Sequence, residues 1–250
     1  MRSPFLLENT RVVLVHPFFP ENIGAAARAM KNAGLQRLIL ADPGPCLPDH
    51  PNARKLAVMA EGILDRSEIA PTLSAAIDGC SLVFGTTRHV YEGMIAISPR
   101  EAALLARRHA KGKGEIAIVF GNEKNGLTKA DLRRCHQMIR IPSAYEETSL
   151  NLAQALMIIV YEWLVAAQDD EASQGIPLTS LSLDTEIGAI ATQLANQLQA
   201  HGFFKIHNRL EKEAILRRVL SRALVTEEEA SVFRGMAHRL GRLLDSLPPA

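Results

Sequence analysis

Short β-branched runs alternate with stretches of helical periodicity from Arg11 to Ala167, and that alternation leaves few folds open. The strand candidates are RVVLVHP from Arg11, RLILADP from Arg37, SLVFGTTR from Ser81, EIAIVFGNE from Glu115 and MIRIPSA from Met138. Between them lie NIGAAARAMKNAG, NARKLAVMAEGIL, TLSAAIDG, SPREAALLARRHA and TKADLRRCH, whose apolar residues recur at helical spacing. Near-continuous apolar strands need cover on both faces. The expectation is therefore an α/β fold, a mostly parallel sheet flanked by helices. Open sheets of this kind bind ligands beyond the carboxyl ends of their strands, so the residues after each run are the candidate site.

The alternation stops at Gln168. Residues 168–183 are polar, hold Gly175 and Pro177, and read as a linker. Three helical stretches follow: TEIGAIATQLANQLQAHG, NRLEKEAILRRVLSRAL and TEEEASVFRGMAHRLGRLLDSL. The expected division is a domain over 1–167, the linker, and a small all-α module over 184–250. Formal net charge is +1, so global charge announces no polyanion. The module is locally basic at Lys205, Arg209, Lys212, Arg217, Arg218 and Arg222, against Glu211 and Glu213. Such a run is either a solvated helix face or a phosphate contact.

Cys46, Cys80 and Cys135 are odd in number and lack metal-like spacing, as do His16, His89 and His136. No metal is assigned. The cysteines, the absence of a signal pattern at the start, and the shortness of LAQALMIIVYEWLVAA against a membrane span lead to a cytoplasmic protein with no membrane partner. Neither G-x-G-x-x-G nor GK[ST] occurs, which argues against a nucleotide-dependent oxidoreductase.

Three strand ends carry the chemistry. In NIGAAARAMKNAG, Ile23, Ala26, Ala27, Met30 and Ala33 share one face; Gly24, Ala25, Arg28, Lys31 and Asn32 share the other. Asn22 is placed as the N-cap and Gly34 as the C′ residue. Arg28 thus stands on an open face beside small neighbours, free to meet a ligand or merely solvated. In IVFGNEKNGLT, Gly121 allows close backbone approach, Glu123 can fix a loop by accepting N–H bonds, and Thr128 caps the next helix. In IPSAYEETSLNLAQALMIIVYEW, Thr148 or Ser149 caps a helix from Leu150 that is apolar nearly all round, with Asn151 as a buried amide inside it. A helix without a polar face needs cover on every side, some of it from a second subunit.

Together these segments resemble the three motifs of the SPOUT methyltransferases, in the SpoU/TrmH branch. They are Asn22-Ile-Gly-Ala-Ala-Ala-Arg28, Phe120-Gly121-Asn122-Glu123-Lys124-Asn125-Gly126-Leu127, and Ile141-Pro142 with Ser149-Leu150-Asn151. The match covers residues 10–165. The helical tail looks like the extension of the TrmJ-type tRNA 2′-O-methyltransferases, and Asn122 departs from a position where those enzymes often carry a basic residue.

The resemblance implies a C-terminal trefoil knot in the α/β domain, S-adenosyl-L-methionine bound in the knot, and a homodimer with sites at its interface. It implies that Thr86, Thr87, Arg88, Gly121, Ile141, Thr148, Ser149 and Leu150 bind the cofactor. Asn22, Arg28, Glu123, Ser149 and Asn151 become the catalytic set, with Glu123 and Asn151 holding the knot loops. The implied activity is methylation of a ribose 2′-hydroxyl in RNA, most directly the pyrimidine at tRNA anticodon-loop position 32. Ribosomal RNA, or a non-catalytic RNA-binding role, are the alternatives. The family is described with the arginine, helped by the substrate phosphate, as the deprotonating device. An arginine has a pKa above 12, so positioning the hydroxyl and stabilising developing charge is the better-founded role.

Overall fold

The computed structural model describes residues 4–89, 94–110, 114–144, 149–168, 182–223 and 225–246. The chain falls into two compact units, Met1–Thr179 and Ser180–Ala250.

In the first unit α1 (Pro4–Glu8) leads into β1 (Thr10–Val15), followed by α2 (Pro20–Ala33), β2 (Arg37–Ala41), α3 (Pro51–Leu56), α4 (Glu61–Asp65), β3 (Glu68–Ala70), α5 (Leu73–Ala76) and β4 (Cys80–Thr86). Then come β5 (Ala96–Ile97), α6 (Pro99–His109), β6 (Glu115–Phe120), α7 (Lys129–Leu132), β7 (Gln137–Ile139) and α8 (Leu152–Gln168). The strands form one seven-stranded sheet in the order β3-β2-β1-β6-β4-β7-β5, with every recorded pairing parallel.

Side chains alternate between the two faces of a strand, and both faces are dry here. Val13, Val15, Ile39, Ala41, Val83, Ala117 and Val119 form one core with Leu73, Ala76 and Ile77 from α5 and its end, and with Leu132 of α7. On the other face Phe84 meets Trp163 of α8 edge-on, ring centroids 5.5 Å apart. Such a pair adds about 0.5–1.5 kcal/mol beyond its area. α8 in turn packs against α2 and α6. The mostly parallel, doubly covered sheet agrees with the expectation from the alternation.

Three local expectations change. NARKLAVMAEGIL is two short helices rather than one, because Met59 takes φ +62 between α3 and α4 and breaks the helical path. β3 and β5, three and two residues long, carry too little pattern to be read from sequence. α8 begins at Leu152, two residues later than expected, because Asn151 caps it. Gly34 does close α2, at φ 82 with its N–H on the last turn's carbonyls. Thr128 caps α7 as expected.

In the second unit α9 (Asp184–Ala200), α10 (Arg209–Arg222) and α11 (Glu227–Asp245) match the three helical stretches of the tail. Ile187, Ile190, Ala191, Leu220, Val225 and Ala230 form its core. Most of the expected linker lies outside the described residues.

Candidate active site

The entry to α2 is built around one carboxylate. Pro20 opens the helix, where its fixed φ and missing N–H cost nothing. Phe19 stands at the N-cap with no side-chain cap, and Asn22 is the third helical residue instead of the cap. Glu123, in the loop after β6, supplies the missing acceptor. Its Oε2 accepts from the Phe18 N–H at 2.7 Å and its Oε1 from the Phe19 N–H at 3.3 Å. That is the loop-fixing role anticipated for Glu123. The displaced Asn22 turns its side chain to the same carboxylate, Nδ2 to Oε1 at 2.7 Å. Its Oδ1 accepts from Asn151 Nδ2 at 3.0 Å. Asn151 is exposed rather than buried, and its own Oδ1 accepts from the Ala153 N–H at 2.8 Å.

The loop from Gly121 to Leu127 folds back on itself. A Cβ on Gly121 would lie 2.2 Å from Gly126 C and Leu127 N, so this glycine is required by the loop before any ligand is considered. Asn122 organises the same turn: Nδ2 donates to the His16 carbonyl at 2.6 Å and Oδ1 accepts from the Lys124 N–H at 2.9 Å. Asn122 is thus committed to tying the loop after β6 to the end of β1.

Beside this loop lies a cavity of about 210 Å³ at the carboxyl ends of β4, β6 and β7. Of the expected cofactor-binding residues, Thr86, Thr87, Arg88, Gly121, Ile141, Ser149 and Leu150 all line it, as does Glu123. Thr148 lies outside the described residues. The walls are tied to one another: Thr86 Oγ1 donates to the Val119 carbonyl at 3.1 Å and the Thr87 N–H to the Ile139 carbonyl at 3.0 Å. Apolar Ile139, Leu127 and Leu152 share the lining with cationic Arg88, Lys124 and Arg140. Such a site suits a ligand with a flat apolar ring and a charged tail. Lys124, Arg140 and Ser143 were not singled out from the sequence, although each lies within or just after a segment that was.

Asn22, Arg28 and Asn151 are not part of that lining. Arg28 is exposed on α2, about 9 Å along the helix axis from Asn22. It makes no hydrogen bond or ion pair among the described residues. Its open face is narrower than the helical projection suggests. Gly24 is buried, and a Cβ there would sit 1.9 Å from the Ala53 carbonyl oxygen of α3. The missing side chain serves helix packing, leaving Ala25, Arg28, Lys31 and Asn32 as the accessible set.

Cys46 is buried beside the turn from β1 into α2, its Sγ 3.2 Å from the Phe18 carbonyl oxygen. Burial pushes its thiol pKa up, and the carboxylates of Glu123 and Glu21 push it the same way. His136 is structural: its Nδ1 accepts from the Val83 N–H at 2.8 Å. Among the described residues no cluster of His, Cys, Asp and Glu could hold a metal, and no helix is long and apolar enough to cross a membrane.

The basic run of the second unit splits in two. Arg217 pairs with Asp184 of α9, and Arg209 pairs with Glu213 one turn along α10 while donating to Asn196 Oδ1 of α9 at 2.7 Å, so both arginines tie α10 to α9. Lys205, Lys212 and Arg222 make no ion pair among the described residues.

Comparison with known proteins converges on one group. The SpoU rRNA Methylase family matches residues 9–161. The chain is 36% identical to the tRNA (cytidine/uridine/adenosine-2′-O-)-methyltransferase TrmJ of Pseudomonas aeruginosa, covering 92% of this chain and 93% of that one. It is 35% identical to the tRNA (cytidine/uridine-2′-O-)-methyltransferase TrmJ of Cronobacter sakazakii, covering 92% and 95%. Among solved structures, TrmJ from Z. mobilis superposes with a TM-score of 0.75 at 30% identity, over 92% of this chain and 98% of that one.

Proposed function

The chain belongs to the SpoU rRNA methylase family, and on that premise we propose that it methylates a ribose 2′-hydroxyl of tRNA. We take the target to be the pyrimidine at anticodon-loop position 32. The observation that carries the reading is the joining of three distant segments. One carboxylate, Glu123, lines the cavity and also holds Asn22 and the head of the helix that bears Arg28.

The cavity's chemistry fits S-adenosyl-L-methionine. Apolar walls at Leu127, Ile139 and Leu150 suit an adenine ring, and Arg88 or Arg140 suits a carboxylate tail. When bound, this group supplies a methyl carbon already activated by a sulfonium. What the protein adds is alignment and charge stabilisation. Glu123, Asn22 and Asn151 hold the loops in register. Arg28, uncommitted and exposed, can grip an RNA phosphate with paired N–H bonds and offset negative charge developing on the hydroxyl oxygen.

In this reading the segment from β6 to α8 forms the trefoil knot of the family, and the working unit is a homodimer that completes the site. Two features support the dimer. Arg28 lies off its own chain's cavity. α8 also exposes an apolar strip, with Met157 37%, Ile158 39% and Tyr161 53% accessible. A strip of that kind is cheapest to cover with another copy. The second unit adds phosphate contacts through Lys205, Lys212 and Arg222.

The test is methyl transfer from labelled S-adenosyl-L-methionine to unmodified tRNA and, separately, to ribosomal RNA, followed by nucleoside mass spectrometry. We expect a 2′-O-methylated pyrimidine in tRNA. Arg28→Ala should keep cofactor affinity and lose transfer by about 10²–10³-fold, the range for removing one donor to a developing anion. Product in ribosomal RNA alone would discard the tRNA assignment. Cofactor binding without any product would favour a non-catalytic RNA-binding role.

A further inference from the structure

Phe18 and Phe19 are exposed at 43% and 46%, where the chain turns from β1 into α2. Two adjacent phenyl rings left in water gain nothing for the fold. They are nevertheless held firmly. Glu123 accepts from both of their backbone N–H groups. The rings meet edge-on, centroids 4.8 Å apart and planes at 84°. The ammonium of Lys124 rests over the Phe18 ring, 3.4 Å from its centroid. Lys124 and Glu123 are also part of the cavity wall.

We propose that Phe18, Phe19 and Lys124 form a stacking corner for one nucleobase of single-stranded RNA, next to the ribose being methylated. This rests on the RNA methyltransferase reading above. Two rings at right angles can take the face of a flat base on one and its edge on the other. Lys124 adds a cation beside the base, where the adjoining phosphate must pass. The nearby carboxylates of Glu123 and Glu21 keep their charge but are turned to donors of their own, Glu123 to the N–H groups just described and Glu21 to Asn52 Nδ2. Further cations, Arg88 and Arg140, line the same cavity. The polarity of the corner therefore matches an aromatic polyanion, not another apolar surface. Stacking on a phenyl ring is tolerant of base identity, so the corner would hold the strand without reading its sequence.

The experiment measures binding of an anticodon stem-loop RNA to the full chain at fixed salt. It uses wild type, Phe18→Leu/Phe19→Leu, Phe19→Trp and Lys124→Gln. Leucine keeps apolar bulk but offers no flat face. The double leucine variant should bind RNA roughly 5- to 100-fold more weakly. Its affinity for S-adenosyl-L-methionine and its sedimentation behaviour should not change. Phe19→Trp should bind at least as well as wild type, and Lys124→Gln should lower the slope of log affinity against log salt by about one. Unchanged RNA affinity in the double variant overturns the proposal. So does weaker binding that appears only with a changed oligomeric state, which would make the rings a subunit contact. If the wild-type chain binds RNA but methylates none, the catalytic reading fails while this binding difference still decides the corner. If it binds no RNA, both fall.

Discussion

The amide of Asn151 donates to the side-chain carbonyl of Asn22 at 3.0 Å, across 129 positions of chain. The direction of this bond is dictated from both ends. Glu123 can only accept, so Asn22 must present its Nδ2 there and its Oδ1 to Asn151. Ala153 can only donate through its N–H, so Asn151 must present its Oδ1 there and its Nδ2 to Asn22. An asparagine carries both a donor and an acceptor on one planar group, which is what each link of this chain needs.

Asn22→Asp therefore sets a carboxylate against Glu123. The variant should lose about 1–3 kcal/mol of stability at neutral pH in urea denaturation. The like charge raises the folded pKa of the pair above its unfolded value. The unfolded state then binds fewer protons through that window, so stability falls as pH rises and returns on acidification. A deficit that does not shrink between neutral pH and about pH 4 would show that repulsion is not the cause.

Two glycines separate fold from site. Gly24→Ala drives a methyl into the Ala53 carbonyl and should prise α3 from α2, costing on the order of 1–3 kcal/mol. Cofactor affinity should change little, because neither helix lines the cavity. Gly121→Ala meets Gly126 and Leu127 backbone in the cavity wall itself and should weaken cofactor binding more than tenfold. Calorimetric titration beside thermal melts checks the contrast.

Cys46 should resist alkylation. Its thiol pKa is raised by burial and by the Glu123 and Glu21 carboxylates, so the reactive thiolate is scarce at neutral pH. Iodoacetamide labelling followed by peptide mapping should show its rate climbing only above about pH 8.5, the ordinary thiol value. Glu21→Gln should bring the rise to lower pH.

Replacing Lys205, Lys212 and Arg222 with glutamine should weaken RNA binding and reduce its salt slope by up to about three. Helical content should hold, since the pairs Arg217–Asp184 and Arg209–Glu213 are untouched. Circular dichroism and salt-dependent binding are the readouts. An unaltered slope would leave these charges as a solvated face.

Local pattern alone determined the five main strands, the principal helices, the Gly34 and Thr128 ends, and the three segments that meet at the site. Each of those depends on a period of two or near four, or on the backbone preference of one residue, and neighbours in sequence carry that information. Only the tertiary structure decided the rest. Asn22 looks like a cap until Pro20 and Glu123 take over the helix entry. Gly24 looks exposed until Ala53 arrives against it. Asn151 looks buried until it caps α8. Nothing in the local sequence marks Phe18 and Phe19 as exposed, and it is the turn, tied to Glu123, that holds them in the open. For Asn22, Gly24 and the phenyl pair the deciding partner lies outside the local segment, and no local periodicity encodes which neighbour arrives first.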